Sequence, residues 1–110
     1  MATKLTLTYP TAVALAAISR GHRYGFDIMD ATGLPDGTVY PILRRLESRG
    51  HLRAHWEDAD AAAGEGRPPR RYYELTGAGD EALRAAVARY PRLMALFAGA
   101  AGQSAARTTG

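Results

Sequence analysis

Between Asp36 and Gly50 the apolar residues Val39, Leu43 and Leu46 recur at the four-then-three spacing that lines one face of a helix. The opposite face carries Thr38, Pro41, Arg44, Arg45 and Ser48. Pro41 lacks an N–H and crowds the carbonyl four residues back, so it places the N-terminal end of this helix close by, with Thr38 or Asp36 as the cap. Gly50 marks the C-terminal end. Upstream, Thr11 to Ser19 is apolar on every side, behind a first-turn Pro10 and closed by Arg20 and Gly21. A helix with no polar face in so short a chain predicts cover from a second chain, with Val13 and Leu15 among the contacts. Tyr24 to Ala31, ended at Gly33, predicts another helix with Phe26, Ile28 and Met29 as core candidates.

After Gly50 the period changes to two. Leu52, Ala54 and Trp56 alternate with Arg53, His55 and Glu57, which predicts a strand with Trp56 in the core between hairpin and helices. A loop from Asp58 to Pro69 leads to a returning strand, Arg70 to Leu75. Thr76 then caps a last helix with apolar positions at Leu83, Val87, Tyr90, Met94 and Phe97, a coiled-coil-like seam that Pro91 should kink after Tyr90. The opening residues alternate Leu5 and Leu7 with Thr6 and Thr8, an arm or a lead-in to the first helix. From Ala98 onward Ala, Gly, Ser and Thr suggest a flexible tail.

Helix, short turn, helix and then a two-stranded hairpin is the order of a winged helix-turn-helix, in which the second helix of the pair enters a groove of DNA. The expected class is therefore mostly α with a small β-wing, followed by a C-terminal dimerisation helix. The expected organisation is a DNA-binding domain over residues 1–75, the dimerisation helix over 76–97 and a tail over 98–110. Composition permits this reading without requiring it. The 110 residues suit one domain, 46% are hydrophobic, the net charge is +3 and the pI is near 9.6. All but Lys4 of the fourteen basic residues are arginines, a bias that suits phosphate and guanine contacts but also follows from a GC-rich genome. With no cysteine there is no disulfide, thiolate or cysteine-ligated metal. No apolar run is long enough to span a bilayer and no signal segment opens the chain, so a cytoplasmic location is expected.

Several stretches in order carry a family resemblance: Tyr-Gly-Phe-Asp-Ile from Tyr24, Gly-Thr-Val-Tyr-Pro-Ile-Leu-Arg-Arg-Leu-Glu from Gly37 to Glu47, Gly-Arg-Pro-Pro-Arg-Arg-Tyr-Tyr from Gly66 to Tyr73, and Leu-Thr-Gly-Ala-Gly from Leu75. The sequence resembles the PadR-like winged-helix transcriptional regulators over roughly residues 5 to 90. The resemblance implies a dimeric DNA-binding repressor, often tuned by a small molecule or a stress signal, and the C-terminus matches the short members.

Thr38, Tyr40, Pro41, Arg44 and Arg45 are the expected recognition-helix contacts. An arginine there can meet a guanine edge, and hydroxyls or first-turn amides can meet phosphates. Arg44 and Arg45 differ by about 100° around the axis, so one should meet a base and the other a phosphate, in an order the sequence leaves open. Arg67, Arg70 and Arg71 are the expected wing contacts, stiffened by Pro68 and Pro69. Strand parity puts Arg71 with Tyr73 and Arg70 with Tyr72, so at least one of the two arginines has a structural role. Glu57, Asp58 and Asp60 should repel phosphate and turn their half of the wing away. Val13, Leu15, Leu83, Val87, Tyr90 and Met94 are the expected dimer contacts. His51 and His55 share a strand face about 13 Å apart, too far for one metal ion. No catalytic triad or phosphate loop is recognisable. The expected partners are double-stranded DNA, a second copy and, optionally, a small-molecule effector, with no cofactor, metal or membrane. The rival readings are a winged-helix adaptor for another protein and a small-molecule sensor without DNA binding.

Overall fold

A computed structural model of the chain describes residues 7–97; the opening residues before them and the tail expected from Ala98 lie outside the described residues. The element order is α1 (Tyr9–Ser19), α2 (Gly25–Thr32), α3 (Asp36–Ser48), β1 (Leu52–Trp56), α4 (Ala59–Gly64), β2 (Arg71–Leu75) and α5 (Gly77–Arg89). The class is the expected one, mostly helical with a two-stranded antiparallel sheet.

Helix α1 is the centre of the core. Thr8 caps it by accepting from the Thr11 amide, and Pro10 sits in the first turn, where a missing N–H costs nothing. Thr11 to Ile18 are all buried. The cover comes from α2, α3, β2 and α5 of the same chain. The expectation that a second chain must cover Val13 and Leu15 is thus corrected, since both are already inside the intrachain core. The four alanines between Ala12 and Ala17 let the neighbouring helices approach on all sides.

Helix α2 buries Ile28 and half-buries Met29, but Phe26 is 48% exposed, so it is not a core residue. The backbone alone caps α3. The Thr38 and Val39 amides donate to the Pro35 carbonyl at 3.0 Å, and neither Thr38 nor Asp36 supplies a side-chain cap. The helix begins five residues before Pro41, which sits inside it rather than at its end. The N–H that Pro41 lacks would have met the Gly37 carbonyl. Both residues are exposed, so water can satisfy that group. At the other end Gly50, at φ 80°, turns the chain so that the His51 amide donates to the Leu46 carbonyl at 2.8 Å. Val39, Ile42, Leu43 and Leu46 anchor α3 to α1 and the sheet.

The strands pair from Leu52↔Leu75 to Trp56↔Arg71. Residues before α2 join this sheet: Tyr24 bridges to Tyr72, and the Tyr73 amide donates to the Arg23 carbonyl at 3.0 Å. The expected loop holds the short α4, capped by Asp58 and pinned through buried Ala62. Trp56 lies at the outer end of its strand, past the edge of the core, and is 66% exposed rather than buried.

Thr76 caps α5 by accepting from the Gly79 amide, as expected. The helix ends at Arg89 instead of continuing through a kink. The ring of Pro91 disfavours helical backbone at Tyr90, which adopts φ −124°, ψ 82°. The chain folds back in turns and returns Leu93 and Phe97 to the core. Leu83, Val87, Tyr90 and Met94 are half-buried against that same core. The Tyr90 hydroxyl donates to the Leu7 carbonyl at 3.0 Å.

Candidate nucleic-acid interface

Burying Val39, Ile42, Leu43 and Leu46 leaves the opposite side of α3 to solvent. That side carries Pro41, Arg44, Arg45 and Ser48, all exposed, with Thr38 half-buried at its margin. Among the described residues neither Arg44 nor Arg45 has an ion-pair partner. Taking 100° per residue, Arg44 lies within about 30° of the direction opposite the buried stripe, and Arg45 about 70° from it on the other side. Burial raises the Tyr73 phenol pKa, and the charges of Arg71 and Arg44 oppose that rise.

Tyr40 flanks the same helix with its ring against the first residue of α2. A Cβ on Gly25 would strike the outer atoms of that ring, so Gly25 is the seat on which Tyr40 lies. Phe26, Tyr40, Arg70 and Arg71 help to wall a groove of about 230 Å³ between α2, α3 and the start of β2.

The three wing arginines have three environments. Arg67 is taken up by the hairpin itself. Its guanidinium donates to both Glu57 oxygens, at 2.5 and 3.2 Å, with both side chains largely covered. Glu57 also accepts from the Tyr24 hydroxyl and from the Arg70 amide, each at 2.9 Å. Hydrogen bonds from Arg67 first, then from Tyr24 and the Arg70 amide, hold the Glu57 carboxyl at a pKa of about 2. Glu57 therefore does not stand out as a repelling charge; it anchors the hairpin to the start of α2. Arg71 donates to Glu47 of α3 at 2.8 Å and lies over the Trp56 ring, 5.8 Å from its centroid. Arg70 lies over the Phe26 ring at 4.8 Å and has no ion-pair partner among the described residues.

Other titratable side chains pair with each other. His55 contacts Glu74 at 2.6 Å and His22 contacts Asp27 at 3.3 Å, and the His55 hydrogen bond lowers the Glu74 pKa. Among the described residues no three His, Cys, Asp or Glu side chains are grouped to hold a metal ion. No described helix is long and apolar enough to cross a membrane.

Residues 14–85 match the family model described as the transcriptional regulator PadR-like family. The chain belongs to this family. The PadR-like chain is thus a DNA-binding transcriptional regulator and not an enzyme. Solved structures share its fold. A PadR family transcription regulator from Clostridium difficile R20291 is 20% identical at a TM-score of 0.66, over 82% of this chain and 95% of its own. A PadR family regulator from Eggerthella lenta is 29% identical at a TM-score of 0.56, over 76% and 74%. BpsR from Bordetella bronchiseptica, whose DNA binding is regulated by 6-hydroxynicotinic acid, is 22% identical at a TM-score of 0.62, over 84% and 66%. No curated protein is similar in sequence at a significant level.

Sequence reasoning found α3 and the wing of this regulator but missed what sits between them. Phe26 is a core candidate by sequence, but Phe26 and Ile28, two residues apart on a helix, cannot both face inward, and Ile28 takes the core. The role of Glu57 left no local signal, because its partners lie at positions 24, 67 and 70.

Proposed function

We propose that this PadR-like chain is a sequence-specific repressor that binds double-stranded DNA as a dimer on a two-fold-related operator. Helix α3 enters the major groove in this reading, with Thr38, Pro41, Arg44 and Arg45 toward the duplex, Tyr40 beside them, and the wing toward the flanking backbone. The observation that carries it is that Arg44 and Arg45, which have no ion-pair partner among the described residues, stand on the exposed side of a helix whose other side is anchored in the core. A recognition helix needs that combination, because rigid placement lets an arginine discriminate base edges.

The wing is reassigned within this reading. Arg67 braces Glu57 and Arg71 braces Glu47, which leaves Arg70 as its phosphate contact. The half-buried stripe of Leu83, Val87, Tyr90 and Met94 is the proposed dimer surface, since it keeps apolar area on the outside of the domain. Two copies related by a two-fold axis would present two recognition helices about 34–36 Å apart, one turn of B-DNA. Release by a small molecule is part of the proposal, supported by the regulation of DNA binding by 6-hydroxynicotinic acid in the structural neighbour from Bordetella bronchiseptica.

Selecting bound fragments from the host genome tests the whole reading, followed by titration of a recovered site and a scrambled duplex across salt. A recurring two-fold-related motif, bound by a dimer in sedimentation, is the expected result. Binding without sequence preference, or no binding, would leave a protein adaptor as the better reading. A metabolite panel in thermal shift, repeated with operator present, tests the effector.

A further inference from the structure

Phe26 is a large aromatic side chain held half in solvent, and nothing in the core explains it. It belongs to a closed circuit of contacts. The Glu57 carboxylate accepts from the Tyr24 hydroxyl at 2.9 Å. The Tyr24 ring stacks on the Phe26 ring at 5.4 Å between centroids with 24° between planes. The Phe26 ring carries the Arg70 guanidinium at 4.8 Å. The Arg70 amide returns to Glu57 at 2.9 Å. Arg70 is thus fixed at both ends, its backbone by a carboxylate and its head group by a ring face.

A guanidinium seated on an aromatic face is attracted by the ring quadrupole and keeps its N–H donors directed away from the ring in its own plane. The contact also restricts a long side chain that would otherwise lose rotamer freedom on binding. Arg70 and Tyr40 of α3 line the same groove, which places the wing arginine next to the proposed recognition helix. The two other wing arginines are committed to Glu57 and Glu47.

From this circuit we propose that Phe26 is a positioning residue for DNA binding: it presents the Arg70 guanidinium, pre-oriented, to a backbone phosphate bordering the groove that α3 enters. The inference rests on the DNA-binding reading of this face. It explains why an aromatic is left in water at the start of α2, and why the hairpin is tied to that start through Glu57 and Tyr24.

The test measures affinity for a random-sequence duplex across a salt series. It compares wild type, Phe26→Leu, Phe26→Tyr, Arg70→Gln and the Phe26→Leu/Arg70→Gln double variant, each checked by thermal melting. One lost phosphate contact should lower the salt slope by about 0.9 and the affinity by about eight-fold at 0.1 M salt per wing, as expected for Arg70→Gln. Phe26→Leu, which keeps apolar bulk, should lose about two- to five-fold, the worth of an exposed cation–π seat. Phe26→Tyr should restore wild-type binding, and the double variant should bind like Arg70→Gln alone, because the platform matters only through its arginine. Wild-type affinity in Phe26→Leu, losses that add in the double variant, or no rescue by tyrosine each overturn the proposal. If wild type binds no duplex, the DNA-binding reading of this face fails together with it; if wild type binds and Phe26→Leu is silent, only the platform fails.

Discussion

Arg44 and Arg45 stand on either side of the direction that points away from the buried stripe of α3, and their inequality can be measured. Arg44 is nearer that direction, at about 30°, and Arg45 lies about 70° away on the other flank. A side chain near the pole of a helix in the major groove faces base edges, whereas one on the flank faces the groove wall, where the phosphates run. Arg44→Ala should therefore lose a bidentate guanine contact of about 1–3 kcal/mol, or about five- to 150-fold, on the operator and relax the preference at one position per half-site. On scrambled duplex its loss should be small. Arg45→Ala should lose one phosphate contact, about eight-fold at 0.1 M salt on both duplexes, with the salt slope reduced by about 0.9 per subunit. Neither change touches the core, since both side chains are exposed, so the melting temperature should hold. Fluorescence anisotropy with labelled operator and scrambled duplexes at three salt concentrations separates the cases. If Arg45→Ala is operator-selective and Arg44→Ala is uniform, the rotational setting of α3 in the groove is wrong. If neither variant changes operator binding, α3 is not the recognition helix.

Gly25→Ala should displace the Tyr40 ring while helix propensity gains from alanine, so the melting temperature should change little as DNA affinity falls by about two- to twelve-fold, the worth of one hydrogen bond of about 0.5–1.5 kcal/mol; unchanged affinity would detach Tyr40 from the interface. The Glu57 pKa is depressed in the folded state, so its contribution is fully present above the ordinary value of 4.5 and is lost as pH falls toward about 2. Acid titration followed by circular dichroism should show that limb in wild type and a flatter one in Glu57→Gln, with the remaining slope shared by Glu74; a Glu57→Gln profile that overlays wild type argues against the clamp. Val87→Asp should yield a monomer that keeps most of its helical signal, read by sedimentation. Unfolding instead would place Val87 in the intrachain core alone, and a wild type monomeric at micromolar concentration with tight operator binding would rule out the dimer.

The amphipathic period of α3, the switch to period two after Gly50 and the Thr76 cap are all local, and each was legible. Local rules decide them because helical and extended backbones repeat at fixed intervals, and a cap acts within three residues of its helix. One of the family's two signature stretches, Gly37 to Glu47, lies inside α3 and the other, Gly66 to Tyr73, is a continuous run through the wing loop into β2, so membership was legible as well. Pro41 and Pro91 show where local rules stop. One is accommodated six residues into a helix because its surroundings are solvated, and the other ends a helix because the chain beyond it has a core to return to. Tertiary structure alone decided that the all-apolar α1 is enclosed by its own chain, since no periodicity says how many neighbours will pack around a helix. It also decided which wing arginine remains available. Strand parity separates Arg70 from Arg71 but cannot say which of Arg67, Arg70 and Arg71 is paired, and their availability differs because folding brings Glu57, Phe26 and Glu47 from distant positions to meet them. Charge availability depends on three-dimensional pairing, and pairing between residues ten to forty-four positions apart follows from packing rather than from spacing along the chain.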